Sequence, residues 1–172
     1  MEPDNATRLM QQFNETITIW IDALDVYTLE QLHQLPNPHS WSLGQVYRHI
    51  IDDTTWFVEQ IHAALQSNEH HDKDMHDDAK MMFRNNSFPD IQIDGPATNT
   101  FIPQPKSKEE LQHRLQTIKD EVNQFVFTHL HGKTQHPGLL FFNALEWLQF
   151  AEMHLRHHFR QKQRIDLIIF RR

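Results

Sequence analysis

The sequence contains no cysteine, and only 4 of its 172 residues are glycine. Without cysteine there are no disulfides, no thiolate metal sites and no cysteine nucleophile. Any transition metal would have to be held by imidazole and carboxylate, and any sulfur chemistry would have to use a guest thiol. Few glycines and few alternating apolar and polar runs argue against a sheet. Long apolar stretches are also missing. Runs such as Leu167 to Phe170 fall far short of the roughly 20 residues that a membrane-spanning helix needs. The first residues, Met1-Glu2-Pro3-Asp4-Asn5, lack the charged-then-apolar character of an export leader, which makes the cytoplasm the expected compartment. Basic charge is scarce as well. The 16 Lys and Arg against 23 Asp and Glu give a net charge of -7, with no basic stripe for nucleic acid, and Arg171-Arg172 does not supply one.

Histidine, in contrast, is abundant, at 14 residues. The 38% hydrophobic and 23% charged content suits a single helical domain over 1–172, large enough to bury a core. Apolar periodicity predicts an all-α four-helix bundle. Met10, Phe13, Ile17, Trp20 and Leu24 form one helical face, and a weaker helical piece covers Thr28 to Leu35. Ser42 and Gln45 form a capping box ahead of Leu43, Val46, Ile50, Phe57, Ile61 and Leu65. A third helix opens with Ser107 and Glu110, carries Leu111, Leu115, Ile118, Val122 and Phe125, and should close near Gly132. The fourth starts at Asn143 with Glu146 three residues on, and Leu145, Leu148, Leu155 and Phe159 mark its buried side. There are no internal repeats. Residues 68–106 form a long connection between the second and third helices, either a lid-like loop or a solvated insert, with a short helix expected over Asp77 to Arg84.

Two imidazoles four residues apart stand one turn apart on the same helix face. His154 and His158 make such a pair, at the margin of the apolar arc, whereas His157 points to the polar side. His49 borders the apolar stripe of the second helix and is the candidate third ligand, although a lone inward histidine is also compatible with a hydrogen-bonded core residue. Three neutral imidazoles would leave an open coordination position, as catalytic sites require. Asp53, one turn beyond His49, could orient an imidazole or act as a base, with Asp52 as the competing choice. Glu152 falls within the apolar arc and could be a buried acceptor behind the ligands. Trp41, Trp56 and Trp147 are expected in the core or in a groove wall.

The Trp41-Ser42-Leu43-Gly44-Gln45-Val46 approach to His49, and the His154/His158 pair in a last helix ending at Gln161, resemble the DinB-like superfamily. This group includes YfiT-like metal-dependent hydrolases and bacillithiol transferases. The His136-Pro137-Gly138 turn followed by Leu145-Glu146-Trp147 is similar to members of the group as well. The resemblance implies a four-helix bundle, often a homodimer, with one divalent metal on three histidines, which map onto His49, His154 and His158. It further implies transfer of a low-molecular-weight thiol cosubstrate onto a small electrophile, or hydrolysis of a small substrate. A non-catalytic bundle that binds metal or a small ligand is the alternative. Zinc or nickel are the leading metals, with copper and iron also suited to imidazole.

The other histidines carry weaker expectations. The run Glu69 to Asp78 is rich in ligand types but reads as a solvated loop. His129, His131 and His136 are expected to cap a helix end, where imidazolium suits the dipole. The apolar tail Ile165 to Arg172 should pack back on the bundle or join a dimer interface.

Overall fold

The computed structural model describes residues 4–89 and 101–170. The middle of the 68–106 connection and Arg171-Arg172 lie outside the described residues. Four long helices form the bundle: α1 (Asn5–Ala23), α3 (Leu43–Gln66), α5 (Lys108–Gln124) and α6 (Ala144–His157). Shorter pieces are a 3-10 turn (Leu24–Val26), α2 (Leu29–His33), α4 (Asp77–Asn85) and α7 (Phe159–Ile169).

Local capping chemistry starts these helices where the sequence places the signals. Asp4 accepts from the Thr7 amide at 2.8 Å. Ser42 with Gln45 and Asn143 with Glu146 form reciprocal capping boxes. The Ser107 hydroxyl accepts from the Glu110 amide at 3.0 Å. The apolar stripes then meet in one core. Phe13, Ile17 and Trp20 of α1 lie fully buried with Leu43, Ile50 and Ile61 of α3, Leu111 and Leu115 of α5, and Trp147 and Leu155 of α6. Two large core side chains place their polar ends on backbone: Trp20 Nε1 donates to the Leu155 carbonyl at 3.1 Å, and the Tyr47 hydroxyl donates to the Trp20 carbonyl at 2.9 Å.

Three expectations are corrected. First, the last helix is not continuous. His158 interrupts it with φ -74° and ψ -9°, between α6 and α7. The Trp20 indole bonds to the Leu155 carbonyl just before the break, and an outside donor on a helix carbonyl is a recognised cause of bending. Second, a small sheet exists. β1 (Lys133–His136) pairs antiparallel with β2 (Leu140–Asn143). Its turn is held by His136 Nδ1, which accepts from the amides of Gly138 and Leu139, both at 3.1 Å. Leu140 takes the left-handed φ of 68°, a conformation that periodicity does not announce. Third, α5 ends at Gln124, well before Gly132. A Cβ on Gly132 would meet the Ser67 carbonyl oxygen at 2.0 Å and that of Ala64 at 2.4 Å. That glycine therefore permits close approach to the end of α3 instead of terminating a helix.

The tail packs back on the bundle. The Tyr27 hydroxyl donates to Asp166 at 2.6 Å, Lys162 pairs with the same carboxylate at 2.7 Å, and Phe170 stacks on Tyr27. No described helix is long and apolar enough to cross a membrane.

Candidate metal centre

Helix α3 contributes His49 from its second turn, and α6 contributes His154 from its last. His158 sits at the break between α6 and α7. The structure brings the three together: His158 Nε2 lies 3.1 Å from His49 Nε2 and 3.2 Å from His154 Nε2. One ligand atom from each falls within 4.8 Å of the others. Two imidazole nitrogens bound to one tetrahedral ion at 2.0–2.1 Å would stand about 3.3 Å apart. The observed separations are close to that value, so the donor set fits one divalent cation.

Electrostatics point the same way. Burial pushes the His49 imidazole down to about 4, its largest cause, with the Asp52 charge opposing it. Burial, then the neighbouring His49, hold His158 at about 3. His154 is driven well below the usual range by burial and by the histidines around it. All three rings are therefore neutral near pH 7, the form in which imidazole binds metal. His154 Nδ1 is buried and has no hydrogen-bond partner among the described residues.

Asp53 stands over the cluster. Its carboxylate oxygens lie 3.7 Å from His49 Nδ1 and 3.5 Å from His154 Nε2. Burial, reinforced by the Asp52 charge, pushes Asp53 up to about 6. Asp52 itself faces the other way and pairs with Arg114 at 2.6 Å. Glu152 is buried, but its carboxylate is engaged elsewhere. It accepts from Thr16 at 2.9 Å and forms a two-pronged pair with Arg156 at 2.9 and 2.8 Å. Arg156 also donates to the Asn86 carbonyl at 2.8 Å.

Aromatic rings enclose the cluster. Trp41 lies 5.2 Å from the His49 ring, Phe57 meets His154 edge-on at 5.4 Å, and Phe88 lies 5.9 Å from His154. Trp41 and Phe88 are half-buried beside the cluster, Trp56 is half-buried against Phe57, His136 and Trp147, and Trp147 is fully in the core. His157, expected on the polar surface, is half-buried, with its ring 5.3 Å from Phe88 and 5.2 Å from His158. His136 does not cap a helix. It packs among Phe142, Trp147 and Phe150, and burial pushes it down to about 4. His129 and His131 are exposed beyond the end of α5. The Glu69 to Asp78 run is mostly exposed and internally paired, with Lys80 bridging Asp74 and Asp77.

Phe88 and Gln161 also touch this cluster, and no sequence motif marks them as doing so. Phe88 lies outside any periodic run. Gln161 reaches the His158 ring because the helix breaks at His158, which makes Gln161 the third residue of α7.

Fold and cluster together define an all-α bundle with a candidate three-histidine centre between two of its helices. The chain belongs to the DinB superfamily, whose sequence profile matches residues 7–161. Among solved structures it is similar to YfiT from Bacillus subtilis, described as a probable metal-dependent hydrolase with an unusual four-helix bundle topology. That similarity has 14% identity and a TM-score of 0.59, and covers 96% of this chain and 88% of YfiT. Comparison with curated proteins finds no match.

Proposed function

We propose that the protein is a divalent-metal-dependent enzyme acting on a small electrophile, with His49, His154 and His158 as the metal ligands. The observation that carries this reading is the convergence of three neutral imidazoles at 3.1 and 3.2 Å. Three neutral imidazole nitrogens converging at these separations are the donor set that a single divalent cation takes. Zinc and nickel suit this donor set. The description of YfiT as a probable metal-dependent hydrolase supports the same class.

A bound divalent cation supplies Lewis acidity and makes a water or thiol easier to deprotonate. The chain's own residues supply the rest. Asp53, held near pH 6 by burial, is poised to take the proton that the nucleophile gives up. Trp41 and Phe88, beside His49 and His154, keep bulk water away and leave an apolar wall for the substrate. For S-transfer, the thiol sulfur forms a bond to the electrophilic carbon, its proton passes to Asp53 and the leaving group departs. The thiol is a low-molecular-weight cosubstrate, since the chain has no cysteine. For hydrolysis, water fills the same role.

The test is a turnover screen of zinc- and nickel-loaded protein with several small thiols, an aryl halide and a small ester. Thiol-dependent turnover that falls about 100-fold or more in Asp53→Asn, with metal content unchanged, supports S-transfer. Turnover of the ester without thiol supports hydrolysis. Full metal occupancy with no turnover on either substrate favours a binding bundle.

A further inference from the structure

The outer nitrogens of the three imidazoles have different surroundings. His154 Nδ1 is buried without a partner, and His49 Nδ1 lies 3.7 Å from Asp53. His158 has a short outer contact: its Nδ1 lies 2.9 Å from Gln161 Oε1. An amide oxygen only accepts, so in this contact the proton resides on His158 Nδ1. That leaves Nε2 with a bare lone pair, aimed at His49 and His154.

The break at His158 makes the contact possible. His158 is the N-cap of α7, and Gln161 is the third residue of that helix. At a helix start, a glutamine in the third position reaches back to the capping residue, ordinarily to its backbone amide. Here the His158 backbone amide is already used, donating to the His154 carbonyl at 3.3 Å. The Gln161 side chain is thereby available to the ring.

We infer that Gln161 is a positioning residue that sets the tautomer and orientation of His158, and so presents the centre's third nitrogen to the metal. The inference rests on the three-histidine reading. Acceptors behind a ligating imidazole commonly change metal affinity by about 10- to 100-fold. Gln161→Leu keeps the bulk and removes the acceptor, whereas Gln161→Glu can only accept.

Two measurements test it. The first is zinc affinity by competition with a chromophoric chelator, for wild type, Gln161→Leu and Gln161→Glu. A drop of about 10-fold or more in the leucine variant is expected, with the glutamate variant at or above wild type. The second is the ring-nitrogen NMR spectrum of the metal-free protein, which reads the tautomer directly. His158 should be protonated on Nδ1 in the wild type and redistribute in Gln161→Leu. Equal zinc affinities in all three proteins, or a bare Nδ1 in the wild type, would overturn the inference while leaving the three-histidine reading intact. A wild type that binds no zinc overturns both.

Discussion

Helix α6 carries two buried polar groups only two residues apart, and the bundle treats them in opposite ways. Glu152 faces α1 and finds every partner a carboxylate could want: the Thr16 hydroxyl and both prongs of Arg156. His154 faces α3 and meets two more imidazoles and the Asp53 carboxylate, while its own Nδ1 has no partner among the described residues. A buried polar group normally costs free energy unless it is hydrogen-bonded. The first cluster obeys that rule with the protein's own atoms. The second gathers three imidazoles and a carboxylate in one spot, the donor set that the proposed cation would share. Glu152 therefore supports the fold, whereas His154 belongs to the proposed metal centre.

Matched leucine substitutions break this contrast most sharply. Glu152→Leu leaves Arg156 and Thr16 without their acceptor. The Arg156 side chain is 39% exposed, so solvent softens the loss to about 2 kcal/mol of folding stability, with zinc affinity unchanged. His154→Leu removes a ring with an unpaired buried nitrogen and fills the space. Metal-free stability should change by less than about 1 kcal/mol, while zinc affinity falls more than about 100-fold, beyond the usual cost of losing a supporting partner. Urea denaturation and zinc titration on both variants check the pair. Equal stability losses, or a zinc effect in the Glu152 variant, would erase the distinction.

His136 lies between the two cases and sharpens the comparison. Its Nδ1 is satisfied by the hairpin turn, yet its ring is held uncharged by burial, with a pKa near 4. The folded value lies below the unfolded value of about 6.5. The neutral ring's contribution is thus fully present above about pH 6.5 and is lost as pH falls towards 4, because the unfolded chain takes up the proton first. Between pH 7 and 5 this amounts to on the order of 1 kcal/mol. His136→Asn keeps an acceptor for the turn but cannot charge. Its stability should fall less between those two pH values than that of the wild type. The triad histidines titrate alike in both proteins, so the difference isolates His136. An unchanged pH dependence would mean that folding leaves the His136 titration unshifted.

The sequence disclosed local features well. Capping boxes at Ser42 and Asn143 located two helix starts, and four-residue spacing paired His154 with His158. The choice between Asp52 and Asp53 stayed open because the two differ by one helix step. Only the position of Arg114, on another helix, draws Asp52 away. Glu152 was read as a neighbour of the ligands because Thr16, more than a hundred residues earlier in the chain, was invisible as its partner. The break at His158 was hidden for the same reason, since the Trp20 indole that competes for the Leu155 carbonyl comes from α1. The hairpin escaped notice because its strands are four residues each and its turn depends on a histidine nitrogen and a leucine at positive φ.

The central claim is that His49, His154 and His158 share one divalent cation. Zinc or nickel content per chain, measured after loading and exhaustive dialysis, tests it most directly in the wild type and in the three single alanine variants. The account predicts one ion per wild-type chain and its loss in each of His49→Ala, His154→Ala and His158→Ala, with the folded state retained by circular dichroism. Undiminished occupancy in folded His49→Ala and His154→Ala protein, or a wild type that retains no ion, would contradict it.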